Sequence, residues 1–113
     1  MHTQQEARAL ISELNERIAR LYPNEKPDVI LFGSFARNEA QEDSDIDVMY
    51  LVDAPRSVIA ERSWQVGNAA AEILLEYGVL ISPIVENRKY FEDNVRLLPF
   101  FQNIQKEGVL MDG

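Results

Sequence analysis

The chain has 113 residues, 46% apolar and 27% charged, a balance that fits one globular domain over residues 1–113 and argues against disorder. Cysteine is absent, which excludes disulfides and zinc–thiolate sites and suits a reducing cytoplasm. A formal charge of −8, from 19 acids and 11 bases, argues against a general nucleic-acid groove, which needs a basic stripe. No apolar leader and no membrane-length apolar run occurs, so neither a signal peptide nor a membrane span is expected.

Residues 4–21 predict a helix, because Ala7, Leu10, Ile11, Leu14, Ile18 and Leu21 recur at steps of three and four and build one apolar face. Tyr22-Pro23-Asn24 and Pro27 mark a loop. Val29 to Phe32 is wholly apolar and suits a buried strand, which Gly33 ends. Ser34 to Asn38 is expected to start a short helix, with a polar loop over 39–44. Asp45 to Val52 reads as a second strand. A long helix follows to Tyr77, with Asp53 as its cap, Pro55 in its first turn and Gly78 as its C-terminal stop. Val79 to Val85 reads as a third strand, and Pro83 in it implies an edge position or a bulge. Residues 88–94 and 99–107 read as helices, Gly108 ends the last one, and Val109-Leu110-Met111 closes the chain. This alternation of helices and strands points to an α/β domain.

Chemistry concentrates in Phe32-Gly33-Ser34-Phe35-Ala36-Arg37 and Asp43-Ser44-Asp45-Ile46-Asp47-Val48, within an acid-rich stretch from Glu42 to Asp47. Residues two apart on a strand share a face, so Asp45 and Asp47 project together while Ile46 and Val48 point into apolar packing. Two adjacent carboxylates repel unless a cation lies between them, and a hard divalent ion such as Mg²⁺ suits an all-oxygen site. A strand ending in Gly33-Ser34 and turning into a helix presents backbone N–H groups to phosphate. Glycine there lets the anion approach, the Ser34 hydroxyl adds a donor, and Arg37 one turn on contacts phosphate or pairs with a nearby acid. The combination reads as nucleotidyl transfer, in which a hydroxyl attacks the α-phosphate and pyrophosphate leaves. An EF-hand is excluded because its sixth and twelfth positions would be Val48 and Ala54, and no P-loop motif occurs. His2 is the only histidine, which makes histidine-based metal or triad chemistry implausible.

At these residues the chain resembles the DNA polymerase beta-like nucleotidyltransferase superfamily, and within it the minimal nucleotidyltransferases of bacteria and archaea. Gly33-Ser34, the ten residues 35–44 and then Asp45-Ile46-Asp47 match the signature of that family in full. The resemblance implies a small mixed sheet flanked by helices, Mg²⁺ or Mn²⁺ held by Asp45 and Asp47, and ATP as substrate bound by Gly33, Ser34 and Arg37. It further implies an antitoxin that transfers AMP to a tyrosine of a HEPN-type toxin, a ribonuclease. Two other readings stand beside it. One is a nucleotide-binding antitoxin that acts by contact, and the other is transfer to a small molecule such as an aminoglycoside. Since the chain is short, a partner protein or a homo-oligomer is expected to complete the acceptor side. Members of the superfamily place a third carboxylate on a later strand. Here Ser82 stands at that position, and Glu86 is the nearest acid. A neutral hydroxyl does not replace a carboxylate as base, which sets the catalytic capacity of the site in question.

Trp64 and Tyr77 read as core residues of the long helix. Tyr90, Phe91, Phe100 and Phe101 read as cover for the sheet, with a partner surface as the alternative, and Arg88 and Lys89 read as solvated.

Overall fold

Residues 4–41 and 43–111 are described by a computed structural model; Met1 to Thr3 (with His2), Glu42, Asp112 and Gly113 lie outside the described residues. In chain order the elements are α1 (Gln4–Leu21), β1 (Asp28–Phe32), β2 (Ile46–Val52), α2 (Arg56–Tyr77), β3 (Ile81–Asn87), α3 (Arg88–Asn94), α4 (Pro99–Glu107) and β4 (Val109–Met111). The four strands form one mixed sheet in the order β3-β2-β1-β4. β1 is antiparallel to both β2 and β4, whereas β2 and β3 are parallel, joined through α2.

Alternation along β2 divides the packing. Ile46, Val48, Tyr50 and Val52 join Ile11, Leu14, Ile18 and Ile73 in the larger core beneath α1 and α2. Met49 and Leu51 face the other way and pack with Phe91, Phe101 and Ile104 of α3 and α4. A strand covered on both faces shows a nearly continuous apolar run. Its one half-exposed interruption is Asp47, on the α3/α4 side.

The expected helices and strands form, with informative differences. Pro83 sits on the edge strand β3, opposite Val48, where its missing N–H costs no ladder bond to a further strand. Gly78 ends α2 at φ 70°. Residues 34–38 make a turn and not a helix: Arg37 N–H reaches Gly33 O at 3.1 Å, then Asn38 at φ 60° breaks the run. Asp45 lies just before β2 rather than in it. Val109 to Met111 becomes a strand because the free edge of β1 is available to pair with it.

Asp53 does not cap α2. Pro55 occupies the cap position with no side-chain hydrogen bond. The Glu25 carboxylate instead accepts from the N–H groups of Asp53 at 2.8 Å and Ala54 at 2.7 Å. Asp53 pairs with Arg88, which is not simply solvated: it also pairs with Asp28 at 2.9 Å and donates to the carbonyls of Lys26 and Leu51, both at 3.1 Å. Arg88→Ala should therefore destabilise the fold by about 2 kcal/mol, the usual worth of charged hydrogen bonds, read as a lower urea midpoint. Lys89 is exposed, with Asp93 as an i,i+4 partner. Trp64 and Tyr77 turn out 65% and 44% exposed, so the outward face of α2 is more apolar than its helix period suggests. Phe91 and Phe101 are core, Tyr90 is partly buried, and Phe100 is 48% exposed.

Candidate active site

The site lies at the end of the sheet where β1 stops and β2 begins. Phe32 is paired across with Asp47, and Asp47 is paired on its other side with Ser82. Phe32, Asp47 and Ser82 therefore form one row across three strands. Neighbouring strands are roughly 4.8 Å apart.

Gly33 follows Phe32 with φ 75°, a conformation that side chains disfavour. A Cβ added to it would overlap Asp47 Oδ2 and lie 3.2 Å from the carboxyl carbon. The Asp47 carboxylate thus rests against the bare Cα of Gly33. The glycine and the aspartate, fourteen positions apart in the chain by their numbering, need each other's geometry. The turn after Gly33 leaves the N–H groups of Ser34 and Ala36 without acceptors among the described residues. With only one turn there is little helix dipole, so any anion affinity rests on these amides and the Ser34 hydroxyl.

Asp47 is half-buried and Asp45 exposed, and neither makes a hydrogen bond or ion pair among the described residues. Burial raises the Asp47 carboxyl above its ordinary range, repulsion from Asp45 raises it further, and Arg37 lowers it by less. The two raising causes, burial and repulsion from Asp45, are what a cation placed between two carboxylates would offset. The donors are all oxygen, so the pair fits a hard divalent ion, with Asp45 and Asp47 as its ligands. No cluster of three or more His, Asp or Glu residues arranged for a metal occurs among the described residues.

A pH dependence follows. The Asp47 carboxyl is raised in the folded chain relative to the unfolded one, so protonation favours folding. Stability of the metal-free protein should fall as pH rises from about 4 through the raised value. Asp47→Asn removes that penalty. In EDTA the variant should melt above wild type at pH 7, and the gap should close towards pH 4. A variant that melts below wild type at pH 7 would refute the claim.

Arg37 is drawn into ion pairs with Glu39 at 3.1 Å and Glu107 at 3.0 Å, and so ties the turn to the end of α4. Glu86 does not join the Asp pair. It lies opposite Leu51, four residues beyond Ser82 and so about 13 Å along the strand. It is buried, accepts from Arg56 at 3.3 Å and from Asn87 N–H at 2.7 Å, and serves the packing of that end. Ser82 alone occupies the position beside Asp47.

A groove of about 270 Å³ opens next to Asp45, lined by Asp43, Ser44, Leu74, Gly78, Val79 and Leu80. It joins the 43–45 loop to the α2–β3 corner, and nothing in the local sequence announces it. A larger cavity of about 460 Å³ is lined by Asn15, Glu25, Lys26 and Tyr50. Tyr50 belongs to the face of β2 opposite Asp47, so this cavity is separate from the carboxylate pair.

Comparison with known proteins agrees with this geometry. The family model for the nucleotidyltransferase domain matches residues 11–107. Two proteins of Methanocaldococcus jannaschii, each named "Putative protein adenylyltransferase", are similar. One is 31% identical over 98 residues, covering 87% of this chain and 90% of the relative. The other is 34% identical over 76 residues, covering 67% and 75%. A crystal structure described as a "putative nucleotidyltransferase" from Sulfolobus solfataricus shares the fold, with a TM-score of 0.63 at 24% identity over 95% of this chain and 80% of that one. The family generally uses a nucleoside triphosphate and a divalent metal. The family match spans nearly all of the folded elements, and the chain belongs to the nucleotidyltransferase domain family and is a nucleotidyltransferase.

Proposed function

We propose that the chain transfers AMP from ATP to a tyrosine hydroxyl of a HEPN-type toxin, as the cytoplasmic antitoxin of a pair. The observation that carries this reading is the seating of the Asp47 carboxylate on the Cα of Gly33. It puts a carboxylate pair and a phosphate-sized turn at one spot. The names of the two archaeal relatives support a protein as acceptor.

In this reading Asp45 and Asp47 hold Mg²⁺ or Mn²⁺, which neutralises charge on the phosphates. The Ser34 amide and hydroxyl, with the Ala36 amide, bind phosphate oxygens. Arg37 exchanges its exposed carboxylate partners for phosphate. The acceptor oxygen bonds to the α-phosphorus, the bond from phosphorus to the bridging oxygen breaks, and pyrophosphate leaves. The hydroxyl proton passes to solvent, because Ser82 offers no carboxylate to take it. A homo-oligomer or the toxin itself supplies the acceptor side.

The test is incubation of the protein with α-labelled ATP, Mg²⁺ and the toxin. Label on the toxin that is lost when its tyrosine is changed to phenylalanine is expected. An unlabelled toxin at ample enzyme would sink the reading. Ser82 opposite Asp47 favours a second reading, in which neutralisation comes from contact and transfer is slow. It predicts neutralisation without ATP.

A further inference from the structure

Helix α4 is fastened to the site at both ends. Near its start the Phe100 ring meets Phe32 edge-on, with centroids 5.8 Å apart and planes at 81°. At its end Glu107 binds Arg37 at 3.0 Å. Phe32 is the residue paired with Asp47 and bonded to Gly33, so Phe100 packs on the residue that joins the two halves of the site. Positions 100, 103 and 107 lie on one face of a helix, over roughly 10 Å of axis, which is about the length of a nucleoside. Asn103 is therefore on the face that Phe100 and Glu107 turn towards the Gly33 turn. It is exposed, and its amide has no hydrogen-bond partner among the described residues. Phe100 is 48% exposed although its neighbour Phe101 is buried in the core.

An exposed aromatic ring and an unpaired amide lie on the helix face whose two ends, Phe100 and Glu107, are tied to Phe32 and Arg37 on either side of the Gly33 turn. Aromatic faces stack on bases, and an asparagine amide matches the N6 donor and N7 acceptor of adenine. We infer that this face of α4 is the nucleoside wall of the site, where Phe100 stacks on the base and Asn103 selects adenine. The inference rests on the nucleotide-transfer reading above and adds to it the residues that choose the nucleotide. An exposed phenylalanine also suits a protein partner, and the experiment separates the two.

Binding of ATP, GTP and inorganic tripolyphosphate is measured with Mg²⁺ for wild type, Phe100→Leu, Phe100→Tyr and Asn103→Ala. Leucine keeps the apolar packing on Phe32 but has no π face, and thermal melts check that each variant is folded. Phe100→Leu should weaken ATP about tenfold and leave tripolyphosphate unchanged, while Phe100→Tyr binds ATP as wild type does. Asn103→Ala should bring ATP and GTP to similar affinity. Unchanged ATP binding in Phe100→Leu, or an equal loss of ATP and tripolyphosphate, overturns the wall. A preference for ATP that survives Asn103→Ala overturns the assignment to Asn103. Wild type that binds neither ATP nor tripolyphosphate refutes the functional reading itself, and the wall with it.

Discussion

Gly33→Ala is expected to lower transfer by at least about a hundredfold, the penalty for misplacing a reacting group by about 1 Å. The new methyl group would fall on Asp47 Oδ2, so the carboxylate must move or the turn must open. The backbone adds to this, because φ 75° is a left-handed conformation that costs a side chain about 1–2 kcal/mol. Stability should drop by at least that much in urea titration. Gly67→Ala is the matched control. Gly67 is exposed in α2 with nothing within 4 Å of an added Cβ, and alanine there should stabilise the chain by roughly 0.5–1 kcal/mol and leave transfer intact. If Gly33→Ala transfers at the wild-type rate, the contact with Asp47 has no functional weight.

Asp45→Asn combined with Asp47→Asn is expected to reduce transfer by about a thousandfold or more, since the amides keep the shape of the site but no longer offer two negative charges to a cation. Fold should be preserved, because neither carboxylate carries a structural hydrogen bond or ion pair among the described residues. The double variant also divides the two readings of function. If AMP transfer neutralises the toxin, the variant binds the toxin and fails to protect. If contact neutralises it, protection survives. Ser82 is the reason the question arises. It sits beside Asp47 in the register, where Ser82→Asp would place a third carboxylate. That variant should melt below wild type in EDTA and gain more from Mg²⁺ than wild type does, by the repulsion that already raises Asp47.

Much of the fold is legible in local patterns. The 3.6-residue period sets α1, the apolar run from Val29 to Phe32 sets β1, and Gly78 stops α2 because glycine tolerates the left-handed cap. Local patterns fail where a distant partner outcompetes a neighbour. Asp53 resembles a helix cap but is taken by Arg88, and Glu25 satisfies the backbone amides that a cap would have served. The last three described residues are too short to read as a strand, and they become one only because β1 presents an unpaired edge. Trp64 has the composition of a core residue but lies on the side of α2 that no other described element covers.

The same division holds at the site. Spacing alone brought Gly33, Ser34, Asp45 and Asp47 into one hypothesis, because Asp-x-Asp entering a strand and Gly-Ser leaving one each have a short-range physical meaning. The resemblance points to Ser82 at the third-acid position and to Glu86 as the nearest acid, but sequence alone does not fix the strand register. Ser82 and Glu86 are both near in the chain, and only the register of β2 with β3 separates them, placing Ser82 opposite Asp47 and Glu86 about 13 Å away in an ion pair with Arg56. The sequence by itself determined the residue types that can hold a metal and phosphates. The tertiary structure decided which of them meet, because strand register and the seating of α4 on Phe32 and Arg37 are set by contacts between residues far apart in the chain.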